Sequence, residues 1–185
     1  MFYILIFIFI AGIAWWFYAY NTLVGLKHKV EAIWSNITTL LKRRYDLIPN
    51  LVETVKGYAA HEAGTFEKVV QARSGAMNAS TVADQAQAEN MLAGTLKSLF
   101  ALSENYPDLK ANTSFLDLQT QLREVEDGIQ VARQEYNDVV MKYNVYTESF
   151  PSLYVAAQYG FVKKDYFELT EEENKQVKNA PQVKF

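Results

Sequence analysis

FLDLQTQLREVEDGIQVARQEYNDVVMKYNVYTESF, running from Phe115 to Phe150, decides the fold of this 185-residue chain. Its apolar residues fall at Phe115, Leu118, Leu122, Val125, Ile129, Ala132, Tyr136, Val139, Tyr143, Tyr146 and Phe150, in steps of three and four throughout. A strand alternates with period two, so this run is not one; a helix of about 3.6 residues per turn gathers all these side chains on one face. Full burial of one such side chain is worth roughly 1.5–3 kcal/mol, so other helices or another subunit must cover that face. Asn112, Thr113 and Ser114 are competent N-caps for it, Asp117 suits its positive end, and Pro151 stops it.

The same spacing recurs upstream. Leu23, Leu26, Val30, Ile33, Ile37 and Leu40 make one seam, Val52, Val55, Ala59, Phe66, Val69 and Ala76 a second, and Leu92, Leu96, Leu99 and Tyr106 a third. Pro49 is expected in the first turn of a new helix, because it lacks an N–H and restricts Ile48. Ser74-Gly75, Asn78 to Thr81 and Asn105 to Asp108 supply the remaining turns. Amphipathic helices with short connections predict an all-α chain, with an antiparallel up-and-down four-helix bundle of coiled-coil character over residues 21–150.

Ahead of the bundle stands MFYILIFIFIAGIAWWFYA, Met1 to Ala19, which carries no charge; the first charged side chain is Lys27. As a helix it is ~28 Å long, close to the ~30 Å hydrocarbon core of a bilayer. No basic residue precedes it, and it leaves through aromatic residues instead of a small-residue cleavage site. It therefore reads as a retained anchor over 1–20 and not as a cleaved signal peptide. Phe2 and Ile10 would lie in lipid, with Trp15, Trp16 and Tyr18 at the interface. Lys27 and Lys29 follow the span, which places the N-terminus outside and the large domain in the cytoplasm. One helix from about Phe2 to Tyr45 is expected to carry the anchor into the bundle.

The formal charge of −3 argues against a general nucleic-acid or acidic-lipid binder. With no cysteine, disulfides, thiolate metal sites and lipid attachment to a lipobox are excluded.

RRYDLIPNLVETVKGYAAHE, Arg43 to Glu62, closely resembles the signature of the LemA family of bacterial membrane proteins. Arg43, Arg44, Asp46, Leu47, Ile48, Pro49, Asn50, Leu51 and Val52 carry its core. The resemblance continues in YNTLVGL (Tyr20 to Leu26), WSNI (Trp34 to Ile37), YNDVV and KYN (Tyr136 to Asn144), Phe150-Pro151, Gly160-Phe161, Tyr166-Phe167 and the terminal VKF. It implies a short anchor carrying a four-helix bundle, in the bacterial cell membrane, with no defined enzymatic activity. A distant branch of that family resembles the magnetosome protein MamQ, which hints at work on membrane assemblies.

Several positions are candidates for more than packing. Lys42-Arg43-Arg44 is the densest basic cluster, and pairing with Asp46 or with acidic faces of other helices is its expected use. Glu62, Arg73 and Glu89 fall in or near the apolar phase. They form a polar layer that fixes helix register, a contact site left open for a partner, or solvated flanks of the seam. His61-Glu62 opens like a zinc-binding HExxH helix, but Thr65 stands where the second histidine belongs, and no Glu-x-x-His pair exists for a di-iron site. No metal, cofactor or small-molecule substrate is therefore expected. Tyr136-Asn137 and Tyr143-Asn144 repeat one heptad apart and are expected to hydrogen-bond across helices and set their alignment, with a ligand pocket as the alternative.

After Pro151 the pattern changes to Leu153, Tyr154, Tyr159, Phe161, Tyr166 and Phe167, too aromatic for disorder. This tail, 151–185, is expected to pack on the bundle or on a neighbouring subunit through Ser152 to Phe161. Glu171, Glu172, Glu173, Lys175 and Lys178 are expected to be solvated, and the final residues mobile. The whole reads as a non-enzymatic membrane-anchored scaffold. Its expected partners are the bilayer, copies of itself and other membrane or envelope proteins. An accessory regulator of a membrane protease or envelope-stress system is the alternative.

Overall fold

The apolar run at the N-terminus propagates into one uninterrupted helix, α1, from Phe2 to Lys56. The structure, a computed structural model, describes residues 1–167. Five further helices follow: α2 (Ala63–Met77), α3 (Val82–Ser103), the short α4 (Pro107–Lys110), α5 (Thr113–Glu148) and α6 (Ser152–Tyr159). No strand occurs among the described residues, so the chain is all-α there. The expectation for Glu171 to Lys178 and the chain end lies outside them.

Two boundaries differ from the sequence reading. Pro49 does not open a new helix; it lies inside α1, which ends at Lys56 and not near Tyr45. The second seam is accordingly divided, Val52 and Val55 belonging to α1 and Phe66, Val69 and Ala76 to α2. Phe150 is not a seam residue either. α5 ends at Glu148, and Phe150 beyond it is 77% exposed.

Local chemistry explains the other ends. Thr81 accepts from the Asp84 N–H at 3.0 Å and so caps α3, with Asp84 in the first turn against the positive helix end. Asn112 does the same for α5, accepting from the Phe115 N–H at 2.9 Å. Pro107 occupies the first turn of α4, where its missing N–H has no helical partner to lose. α6 closes on Gly160 at φ 69°, the left-handed position that costs glycine least.

The described chain forms two compact units. One comprises Met1–Ile37 and Ala132–Tyr166, the other Thr38–Val131 with Phe167. In the first, Leu23, Val30, Ile33 and Ile37 of α1 are buried, as are Tyr136, Val139, Val140 and Tyr143 of α5 and Val155 and Ala156 of α6. Met1 through Ala14 are exposed without exception. α1 is thus long and apolar enough to cross a membrane, and the exposed residues 1–14 make up most of its apolar run. In the second unit the core is built by Ile48, Leu51 and Val55, Phe66 and Val69, Leu92 and Leu99, and Phe115, Val125 and Ile129. There α2 and α3 pack on each other across the connection 78–81.

Candidate functional site

Arg44 is where the second unit departs from a purely apolar interior. Ile37, Leu41, Ile48, Leu51 and Val55 are buried along α1, and Arg44 stands in their phase, 3% exposed. Its Nη1 donates to Glu89 Oε2 at 2.9 Å, and its Nη2 lies 2.9 Å from Glu126 Oε2. Glu89, on α3, is equally buried, whereas Glu126 on α5 is about half exposed. The Tyr45 hydroxyl donates to the other oxygen of Glu89. Gln85, one turn before Glu89, donates through Nε2 to Tyr45 Oη at 2.9 Å, to Glu89 Oε1 at 3.0 Å and to the Ala76 carbonyl at 3.1 Å.

A second cation completes the group. Arg73 on α2 directs Nε to the Tyr45 carbonyl oxygen at 2.8 Å. In a regular helix that oxygen accepts from the N–H four residues on, here the position of Pro49, which has none. Arg73 supplies the missing donor. This is the physical reason that α1 passes through a proline without terminating.

Burial pushes the Glu89 carboxyl above the usual carboxylate range, while the Tyr45 hydrogen bond, the Arg44 charge and Gln85 pull it back and Glu126 adds to the rise. The Tyr45 phenol is also raised, by burial first and then by Glu89, so it stays protonated and keeps donating. Among the described residues no buried side-chain nitrogen or oxygen lacks a hydrogen-bond partner. These bonds join α1, α2, α3 and α5, and a shift of α1 against α3 would leave the buried charges of Arg44 and Glu89 unpaired.

The three polar candidates Glu62, Arg73 and Glu89 are placed differently. Glu89 and Arg73 come together through Tyr45; Glu62 stays outside, half-buried at the start of α2 and accepting from the Tyr106 hydroxyl at 3.4 Å. Of the family motif, Arg44, Ile48, Leu51 and Val52 are buried and Leu47 is half-buried, while Arg43, Asp46, Pro49 and Asn50 are exposed. Arg44 does not pair with Asp46, since side chains two apart on a helix face different ways. Tyr45, Gln85 and Glu126 were not singled out by the sequence. The usable signals were the phase of Arg44 in the seam, the one-turn spacing of Gln85 and Glu89, and the carbonyl that an in-helix Pro49 strands.

In the first unit the predicted heptad pair works differently from expectation. Tyr136 and Asn144 do not bond across helices; their polar atoms hold the segment after Gly160. Asn144, 2% exposed, donates to the Lys164 carbonyl at 2.9 Å and accepts the Lys164 N–H at 2.9 Å. Tyr136 donates to the Asp165 carbonyl at 3.2 Å, and its ring lies 5.5 Å from that of Trp34. An extended segment has unpaired backbone groups that a helix lacks, so it is what the α5 side chains can reach. Tyr143 is buried and Asn137 half-buried. Phe2, Ile10 and Tyr18 are exposed, while Trp15 and Trp16 are half-buried. Trp16 directs Nε1 to the Tyr159 hydroxyl at 3.4 Å, and the Tyr20 ring lies 4.7 Å from that of Tyr159 and 6.0 Å from Phe161.

Comparison with known proteins places these features. The LemA family profile matches residues 33–185. Magnetosome protein MamQ 2 of Paramagnetospirillum magneticum (strain ATCC 700264 / AMB-1) is 26% identical over 185 aligned positions, covering 86% of this chain and 68% of the relative. Magnetosome protein MamQ of Magnetospirillum gryphiswaldense is 26% identical over 174 positions, covering 80% of this chain and 64% of the relative. Protein LemA of Metamycoplasma hominis is 30% identical over 155 positions, covering 79% of this chain and 69% of the relative. Together with the long apolar α1, these similarities point to a membrane-associated helical protein. The chain belongs to the LemA family.

Proposed function

We propose that this chain is a membrane-anchored helical scaffold, without catalytic chemistry of its own, that organises other proteins or copies of itself at a bacterial cell membrane. One observation carries the reading: a single helix is exposed and apolar from Phe2 to Ala14, then presents a buried seam from Ala19 onward. Such a run satisfies its backbone internally and finds its solvent in lipid. Residues 1–20 are then the anchor, 21–150 an up-and-down antiparallel bundle of α1, α2, α3 and α5, and 151–185 the tail. Short connections between successive long helices support that arrangement. The lysines that follow the span, Lys27 and Lys29, support a cytoplasmic bundle.

The buried polar groups support a structural use over a catalytic one. Arg44, Tyr45, Gln85 and Glu89 spend their hydrogen bonds on each other. Relatives named for the magnetosome fit a role in a membrane-bound assembly. Confinement to a membrane raises the effective concentration of copies, which favours self-association. Cross-linking in native membranes tests the proposal. Multimers or one recurrent partner are expected, and a protein that floats with membranes yet yields neither would refute it.

A further inference from the structure

The first unit contains a cavity of about 420 Å³ at the point where the apolar run of α1 ends. Tyr20, the residue after Ala19, lines it together with Lys27 and His28 from α1, Tyr143 from α5, and Phe161 and Lys164 from the segment after α6. Its volume falls within the ~300–1,000 Å³ of sites that hold small ligands. The walls are fixed. Gly160 turns the chain out of α6, Asn144 grips both the N–H and the carbonyl of Lys164, and Phe161 packs near the Tyr20 ring.

The charges at the cavity are uneven. Lys163 is taken by Glu148 at 3.1 Å, and Glu31 lies 3.2 Å from His28. Lys27 and Lys164, by contrast, meet no carboxylate in an ion pair among the described residues. These two lysines, one on α1 and one on the segment after α6, offer an anion two cationic donors, with the Glu31 carboxylate the acidic group whose charge reaches the Tyr143 wall. Helix rise puts Lys27 ~12 Å along the axis from Ala19, and a lysine stem shortens that distance by snorkelling back toward the interface. Aromatic residues at the mouth are the kind that settle at headgroup depth.

We infer that this cavity binds the phosphate ester of an anionic phospholipid headgroup between Lys27 and Lys164, with the acyl chains remaining in the bilayer beside α1. The inference rests on the anchored reading above and adds a lipid class and an address to it. Lipid held there would fix the depth of α1 and tie the tail segment to the membrane surface.

The test uses the full chain in vesicles of phosphatidylcholine alone and of an equimolar mixture of phosphatidylcholine and phosphatidylglycerol. After flotation and mild solubilisation, native mass spectrometry reads the co-purified lipid. Phosphatidylglycerol should be enriched over its share of the vesicle. Lys27→Gln and Lys164→Gln should each lower the ratio of bound phosphatidylglycerol to bound phosphatidylcholine about fivefold, the factor for the ~1 kcal/mol of one basic residue near an anionic surface. Lys163→Gln, one position away but already paired, should leave it unchanged. A chain that floats without enrichment, or whose enrichment Lys163→Gln lowers as much as Lys164→Gln, overturns the headgroup site. A chain that fails to float overturns the anchored reading itself. Inorganic phosphate and glycerol 1-phosphate, added to solubilised protein, form the last arm. If either displaces phosphatidylglycerol at equal concentration, the site reads soluble phosphate and the lipid assignment falls.

Discussion

Arg73 donates its Nε hydrogen to the carbonyl oxygen of Tyr45 across 2.8 Å, filling the place that Pro49 leaves empty in α1. The two residues lie on different helices and far apart in sequence, yet the bond takes the role of an ordinary helical one. A part-buried carbonyl without a donor costs ~1–3 kcal/mol. Arg73→Met should therefore lose stability of that order in the wild-type background. In a Pro49→Ala background the backbone N–H restored at position 49 can reach the Tyr45 carbonyl itself, and the same Arg73→Met substitution should cost less by at least ~0.5 kcal/mol. Equal losses in both backgrounds, measured by chemical denaturation, would disprove the coupling.

The Glu89 network predicts a pH dependence with a definite sign. Its folded-state pKa is raised, so the native chain holds this proton more tightly than the unfolded one. The stabilisation it contributes is complete below the ordinary carboxylate range and is lost as pH rises through the raised value. Glu89→Gln cannot titrate. The stability of wild type relative to Glu89→Gln should thus fall with increasing pH from about the usual carboxylate pKa upward. A constant difference in paired urea titrations would contradict this.

Arg44 tests the same network from the other side. Arg44→Met strands Glu89 without its buried cation, a change that costs ~3–5 kcal/mol near neutral pH. Part of the loss should return on acidification, because Glu89 can then take up a proton. Thermal melts at neutral and acid pH check both the size and the recovery.

Asn144 holds the tail by two backbone hydrogen bonds to Lys164. Asn144→Leu preserves bulk and removes both, so the Lys164 amide should exchange with solvent faster, by roughly the fivefold to thirtyfold that follows from ~1–2 kcal/mol of hydrogen bonding. Hydrogen exchange read by NMR should show no comparable change in α2 and α3, which belong to the other unit.

Residues 1–14 contribute no buried side chain. Removing them should leave the melt of the remainder within ~0.5 kcal/mol in detergent, as surface changes do. It should also abolish flotation with vesicles. Loss of the fold on truncation would show that the run packs on protein.

Helix content was legible because it rests on local rules. The step of three and four from Phe115 to Tyr146, the turn residues Asn78 to Thr81, the cap at Asn112 and the uncharged stretch to Ala19 all act within a few residues. Phe150 misled because the periodic pattern ran past the helix end at Glu148. Pro49 misled for a deeper reason. Proline breaks a helix when its stranded carbonyl finds no donor, and the donor here sits in another helix.

By itself, then, the sequence determined the helical class of the chain, the three-and-four phase of its seams and the apolar run fit for a membrane. Only the tertiary structure decided that Arg44 meets Glu89 and Glu126, that Arg73 repairs α1 at Tyr45, and that Asn144 grips Lys164. Periodicity is a property of neighbours along the chain, whereas the Arg44–Glu89 bond joins residues 45 positions apart. Which charge answers which is settled by the packing of apolar faces, and by the high cost of leaving a buried charge alone once those faces have met.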